Sequence, residues 1–282
     1  MHTQPSNRLK RAELQSSKIG VLGRGYTSLR TIVAANARNG KRSFVAAPAL
    51  PVDAVAVKGR NTRCMYFRCK RAIDVILACW LLVVLFPLML VIAVLIKLES
   101  PGPVLFVQHR VGARRRIKGG RLVWLVRTFA FYKFRSMIQN ADQSVHEAYF
   151  RDFREGRADG NGNGARFKLN NDSRTTRLGR ILRKTSLDEL PQLVNVIKGD
   201  MSLVGPRPAL PYEVAMYDDA HFERLCAVPG ITGFWQARAR CEVSFEQMVR
   251  MDIEYTRHCT LWLDIKLLLL TIPAVLSCRG AT

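Results

Sequence analysis

The chain has 282 residues, 44 Lys and Arg against 22 Asp and Glu, a net charge of +22 and 48% apolar residues, which exclude a collagenous, low-complexity or wholly disordered polymer. Seven scattered cysteines, odd in number and without a C-x-x-C pair, indicate neither a disulfide framework nor a zinc ribbon and fit a reducing, cytoplasm-facing location. So large a positive excess calls for a polyanionic neighbour: nucleic acid, an anionic membrane face or phosphorylated substrates.

Residues 1–60 carry eleven Lys and Arg against two acids, Glu13 and Asp53, and little apolar periodicity. Residues 1–65 therefore read as a basic, mostly disordered tail. No continuous apolar stretch follows the charges with a small-residue cleavage site, so this is not a secretory signal.

Between Asp74 and Lys97 lie 22 uncharged residues, VILACWLLVVLFPLMLVIAVLI. At ~1.5 Å per residue they extend ~33 Å, enough for the ~30 Å hydrocarbon core of a bilayer. A core helix of a soluble protein would normally show some polar edge, so a membrane helix is predicted over 66–98. Lys58, Arg60, Arg63, Arg68, Lys70 and Arg71 precede the apolar run; Lys97, Arg110, Arg114, Arg115, Arg116, Lys118 and Arg121 follow it. The positive-inside bias is met at both ends only if the segment returns to the leaflet it came from. Pro87 removes a mid-helix hydrogen bond, which predicts a bend and a re-entrant helix of two short arms. A simple kinked span is the other reading.

Ser100-Pro101-Gly102-Pro103 ends the helix, and residues 99–282 read as one further domain. VLFVQHRV and RLVWLVRTFAFYKFRSM predict short strands joined by a basic loop at Ala113–Arg121. A polar stretch of helical rhythm follows, then a Gly/Asn-rich loop. FEQMVRMDIEYTRH predicts a polar helix; LWLDIKLLLLTIPAVL, interrupted by Asp264 and Lys266, predicts either an amphipathic interfacial helix or an ordinary core helix. The whole reads as α+β, mainly α.

The densest segment is NNDSRTTRLGRILRKTSLDELPQLVNVIKGDMSLVGPRP, residues 170–208. Arg174, Arg177, Arg180, Arg183 and Lys184 precede the adjacent carboxylates Asp188 and Glu189. The three-residue steps predict a helix with its cations on roughly one face, suited to phosphates. Ser186 fits a capping box with Glu189, whereas Pro191 suits a helix starting slightly later; both put the carboxylates near a helix N-terminus, where the dipole keeps them ionised. Metal ligands, a nucleophile beside a metal ligand, and a plain salt-bridge cluster are all open for this pair. Arg207, between two prolines, and the Lys198/Asp200 pair add rigidly held charge. His109, His146, His221 and His258 are isolated, and neither a P-loop nor a known hydrolase motif is present.

These stretches resemble the bacterial sugar transferase family, the monotopic phosphoglycosyl transferases that load a sugar 1-phosphate onto a polyprenyl phosphate. The resemblance rests on K-R-A-I-D, S-P-G-P-V-L-F-V-Q-H-R-V-G, Y-K-F-R-S-M, the run T-R-L-G-R through G-P-R-P, P-G-I-T-G-F-W-Q-A and a terminal R-G-A, from about Tyr66 to the end. It is similar above all to the transferases that begin exopolysaccharide repeat units. It implies Asp188 as a nucleophile on the β-phosphate of a UDP-sugar, UMP as leaving group, and undecaprenyl phosphate as acceptor. It further implies Glu189 as a Mg²⁺ ligand, and Arg207, Arg183, Lys184, Arg180, Lys133 and Arg135 on substrate phosphates. Galactose 1-phosphate is the first expectation for the transferred group; glucose 1-phosphate, an N-acetylated sugar, or an inactive membrane scaffold are the alternatives. The expected location is a bacterial inner membrane with the catalytic domain facing the cytoplasm, touching anionic lipids through the basic loop and admitting a homodimer. Nucleic acid is not an expected partner, since only Tyr132-Lys133-Phe134-Arg135 interleaves aromatic and basic residues. Departing from the family, Phe86 rather than a small polar residue precedes Pro87, and the basic loop is longer than usual.

Overall fold

The computed structural model describes residues 56–58, 64–118, 121–139, 141–142, 144–156, 172–238 and 243–276. In chain order these form β1 (Ala56–Lys58), α1 (Cys64–Glu99), β2 (Leu105–Lys118), β3 (Arg121–Phe134), α2 (Ser144–Arg154), α3 (Arg177–Thr185) and a 3₁₀ turn (Leu187–Glu189). There follow α4 (Gln192–Lys198), β4 (Ser202–Val204), α5 (Pro211–Ala215), a second 3₁₀ turn (Asp219–Leu225), β5 (Gly230–Thr232), α6 (Phe234–Arg238), α7 (Phe245–His258) and α8 (Leu261–Leu276). The mainly helical α+β expectation holds. The Gly/Asn-rich loop, the terminal R-G-A and nearly all of the basic tail lie outside the described residues. Within the segment read as tail, β1 pairs antiparallel with β3.

Helix α1 runs without interruption from Cys64 to Glu99 with Pro87 inside it. Pro87 removes one N–H and the helix continues through it, so the two expected arms are joined by helical backbone. It is long and apolar enough to cross a membrane, and only 11% of its most apolar stretch is buried. The inward face is a narrow stripe. Tyr66, Lys70, Asp74 and Ala78 are buried at one end, four residues apart, and Ile92 and Ile96 at the other. Asp74 lies in the field of Lys70 and accepts from Ser202 Oγ at 2.7 Å and from the Leu203 amide at 3.2 Å. Arg71 donates to the carbonyls of Val196 and Ile197.

The strands expected to be short form one antiparallel hairpin of two 14-residue strands, in register from Leu105↔Phe134 to Lys118↔Arg121. The basic stretch read as a loop is therefore mostly strand. Distant partners hold it there: Asp200 accepts from Arg114 and Arg127, and the Arg115 guanidinium stacks over Phe67 at 4.5 Å. The outer half of the hairpin packs Val111, Ala113, Trp124 and Val126 against Phe150, Phe153, Tyr217, Phe222 and Phe245. A second core joins Tyr66 and Ala78 of α1 to Phe129, Phe131, Leu193, Val196 and Leu267. A third, smaller one joins Ile92 and Ile96 to Phe134 and Leu182. Strands β4 and β5 pair in parallel, Ser202↔Gly230 and Val204↔Thr232.

Helix α8 turns Asp264 and Leu267 inward and leaves Trp262, Ile265, Leu269 and Ile272 exposed. The polar residue that interrupts its sequence thus faces the core, and an apolar face points outward.

Candidate active site

The first half of β2, the end of β3, the 187–189 turn and the 206–212 segment surround a cavity of about 670 Å³. Local sequence explains how each wall is placed. Helix α3 begins at Thr176, whose Oγ1 accepts from the Gly179 amide at 2.9 Å, and buries Gly179 and Leu182. It ends at Ser186, which has φ 59° and ψ 16° and is the only non-glycine with positive φ among the described residues. Ser186 makes no side-chain cap, so the capping box expected with Glu189 is not formed. Instead the left-handed residue turns the chain sharply into the 3₁₀ turn that carries Asp188 and Glu189. Pro191 stands at the N-cap of α4, one residue ahead of the first helical position expected for it, with helical φ −61° and ψ −16°. Asp188 is 7% exposed; both carboxylates line the cavity.

Of the expected phosphate-binding residues, Arg207, Arg183, Lys133 and Arg135 line the cavity, whereas Arg180 and Lys184 are exposed on the outer face of α3 and do not. The burial of Leu178 and Leu182 decides which way α3 faces; of the cations on that helix only Arg183 lines the cavity, donating to Thr175 Oγ1 at 3.0 Å, while Arg174, ahead of the helix, lines it too. Arg135 is a structural clamp as much as a lining residue. Its guanidinium donates to the carbonyls of Ile96, Ser100 and Pro101 and to Ser100 Oγ, fixing the end of α1. Gly102, at φ 115°, permits this, because a Cβ there would lie 2.4 Å from Arg135 Nη1. The prolines flanking Arg207 are both anchored: the Gly230 amide donates to the Pro206 carbonyl at 2.9 Å, and Arg110 donates to the Pro208 carbonyl at 3.1 Å. Lys198 and Asp200 do not line the cavity; they bind Tyr132 and the hairpin arginines.

The structure adds residues to which the sequence gives no role. Arg110, His146, Tyr212, Gln108, Gln192 and Gln236 all line the cavity. Arg110 is buried, and burial followed by the Arg207 charge pulls its pKa to about 10. His146 accepts from or donates to the Tyr212 hydroxyl at 2.5 Å. Its pKa falls to about 3 through burial and then the charges of Arg207, Arg110, Lys133 and Arg174, so it is a neutral hydrogen-bonding group. Gln108, Arg110, Gln192 and Gln236 lie inside motifs that carry the family resemblance; nothing in the sequence around His146 marks it. Ser136 Oγ, Gln192 Nε2 and Gln236 Oε1 are buried without a hydrogen-bond partner and belong to residues that line this same cavity.

Lys133 completes the arrangement. Burial, with Arg110 and Arg183 adding to it, lowers its pKa to about 8, while Asp188 and Glu189 pull the other way. As pH rises through about 8 the unliganded protein loses this charge, so kcat/KM for an anionic substrate is expected to fall. Lys133→Arg, protonated throughout, is expected to flatten that limb of the pH–rate profile. Stability should move oppositely. The folded pKa lies below the ordinary 10.5, so the unfolded chain binds more protons between those values and stability rises across that window.

Buried Asp188 and half-buried Glu189 share the cavity wall with Lys133, Arg110, Arg183 and Arg207, an arrangement suited to anionic, phosphate-bearing ligands. Residues 65–278 match the bacterial sugar transferase family, and the chain belongs to that family. It is 37% identical over 218 residues to the exopolysaccharide production protein ExoY of Sinorhizobium fredii, covering 75% of this chain and 87% of ExoY. It is 41% identical over 212 residues to the undecaprenyl-phosphate galactose phosphotransferase of Salmonella typhimurium, covering 75% of this chain and 41% of that protein. It is 41% identical over 184 residues to the galactosyl transferase CpsE of Streptococcus agalactiae, where the match spans 65% of this chain and 37% of CpsE.

Proposed function

We propose that the chain transfers a hexose 1-phosphate, galactose 1-phosphate first, from a UDP-sugar to undecaprenyl phosphate and so begins exopolysaccharide repeat-unit synthesis. The observation that carries this reading is Asp188, buried at the wall of a cavity whose other groups are Lys133, Arg110, Arg183 and Arg207. In the proposed first step a carboxylate oxygen of Asp188 attacks the β-phosphorus. The bond from that phosphorus to the bridging oxygen breaks, and UMP leaves with its electron pair. A phosphate oxygen of the acceptor lipid then attacks the same phosphorus and releases the Asp188 carboxylate. Both steps bring anions together, and the four cations lower that repulsion. Buried Gln192 and Ser136 and neutral His146 offer hydrogen bonds to the hydroxyls of donor and sugar.

The donor set fits Mg²⁺ in one manner only. No group of three or more His, Cys, Asp or Glu is placed to hold a metal among the described residues. Glu189, beside Asp188, suits an ion that takes one or two carboxylates and completes its shell with substrate phosphate and water. Bound there, Mg²⁺ would neutralise phosphate charge.

The same proposal places α1 in the bacterial inner membrane as a re-entrant helix with the catalytic domain on the cytoplasmic side. Asp74 at one end of α1 and the Ile96 carbonyl at the other are both bonded to one folded body. A body that holds both ends keeps them on one side of a bilayer. Anionic lipids would then meet Arg116, the exposed arginine of β2.

Purified protein in detergent, given undecaprenyl phosphate and a panel of UDP-sugars with and without EDTA, tests the reaction. UMP release from one donor, dependent on lipid and metal, is expected, with UDP-galactose the first candidate and UDP-glucose and UDP-N-acetylgalactosamine next. Relatives named for glucose and for N-acetylgalactosamine exist at 38% identity, which motivates the panel. Release of UDP would mean direct glycosyl transfer and remove the nucleophile, and no release from any donor would favour an inactive scaffold.

A further inference from the structure

One wall of the cavity does not suit the donor. Pro103, Leu105, Val107 and Ile138 line it, yet Leu105 is 42% exposed, Val107 47% and Ile138 53%. Apolar groups held in water at the mouth of a polar cavity gain nothing unless an apolar ligand covers them, at ~25 cal/mol for each Å² removed from solvent.

Their place in the fold identifies the ligand. Leu105 is the register partner of Phe134, and directly opposed residues share a sheet face. Phe134 packs against Ile92 and Ile96, so Leu105, and Val107 two residues on, project from the sheet face that meets this end of α1. Leu95 and Leu98, at the same end of α1, are exposed at 43% and 78%. Exposed apolar groups thus stand both at the end of the apolar helix and, on the strand that follows it, at the rim of the cavity. Behind the rim polarity reverses: Lys133 Nζ stands 5.1 Å over the Phe106 ring and feels the charge of Asp188. Apolar outside and cationic within is the pattern of a ligand with a hydrocarbon chain ending in a phosphate.

We propose that Leu105, Val107 and Ile138 form the lip over which the acceptor's first isoprene units pass from the bilayer, delivering its phosphate past Phe106 to Lys133 and Asp188. This rests on the function proposed above and adds where the acceptor, rather than the nucleotide sugar, approaches. The lip fixes acceptor affinity and leaves donor affinity alone.

Two measurements test it. Full-length protein in nanodiscs is irradiated with a polyprenyl phosphate bearing a diazirine in its first two isoprene units, and adducts are mapped by mass spectrometry. Adducts at 103–107 and 138 that undecaprenyl phosphate competes away are expected; adducts only elsewhere overturn the lip. This readout needs no turnover, so a chain that releases UMP from no donor still reports on the lip, and the two failures stay separate. The second measurement uses Leu105→Gln with Val107→Thr, polar changes at rim positions of a strand. KM for undecaprenyl phosphate should rise at least about tenfold, the loss of roughly one leucine's burial, with KM for UDP-galactose unchanged. An unchanged lipid KM, or a shift in the donor KM instead, overturns the proposal.

Discussion

Asp188→Asn is expected to abolish transfer, lowering UMP release by at least about 10³-fold while the protein still folds. The amide keeps the shape of a carboxyl but is no nucleophile. The residue sits in a 3₁₀ turn fixed by Ser186 on one side and α4 on the other, and it belongs to none of the three apolar cores. Removing a negative charge from among Lys133, Arg183 and Arg207 should lower the unfolding midpoint by a few degrees at most. The decisive form omits the acceptor. Native protein mixed with UDP-sugar alone should release up to one equivalent of UMP and retain the phosphosugar; the variant should release none. Asp188→Glu offers a second test, since the longer arm displaces the attacking oxygen by about 1 Å and should cost about 10²-fold. Normal turnover by Asp188→Asn would remove the covalent route.

The sequence made the centre of this site legible because its chemistry is local. Asp188, Glu189, Arg183 and Arg207 fall within 25 residues, and the cavity brings all four together. What it left obscure depends on distant contacts. The three-residue spacing of Arg177, Arg180 and Arg183 gives a cationic helix but does not say which edge faces the site; Leu178, Leu182 and the cap at Thr176 decide that, and Arg180 and Lys184 end up outside. Arg135 could be read as a phosphate ligand because the carbonyls it binds, at 96 to 101, come together with it only after α1 has docked. The arginines of β2 look like a loop until Asp200 and Phe67 arrive as partners. His146 is the extreme case. It is a single residue of α2 whose environment is made by Tyr212, Arg110 and Arg207 from other parts of the chain.

The attachment of α1 yields the largest expected effect on stability. Asp264, 5% exposed, accepts from Lys70 Nζ and Tyr66 Oη at 2.9 Å and from Tyr255 Oη at 2.7 Å, joining α1, α7 and α8. Lys70 is itself 8% exposed, so Asp264→Leu takes the ion-pair partner from a buried ammonium and an acceptor from two buried hydroxyls, of which Tyr255 Oη keeps the Val204 carbonyl at 3.2 Å. Breaking one partner of such a pair costs about 3–5 kcal/mol, which for a domain of this size lowers Tm by about 10 °C. Charge itself is not what the fold needs. With Lys70→Met added, no unpaired ion remains, and well-packed apolar side chains commonly match a buried ion pair. The double variant is therefore expected to recover most of the lost stability in detergent, with a coupling of at least about 2 kcal/mol between the two substitutions. Additive losses would mean that the ion pair contributes little and that Tyr66 and Tyr255 carry the junction. Neither substitution touches the cavity around Asp188, so activity measured below the unfolding range should fall only as far as docking of α1 governs access to the acceptor. A stable double variant that still releases UMP but has lost lipid-dependent turnover would place the function of this junction in holding the apolar helix beside the site.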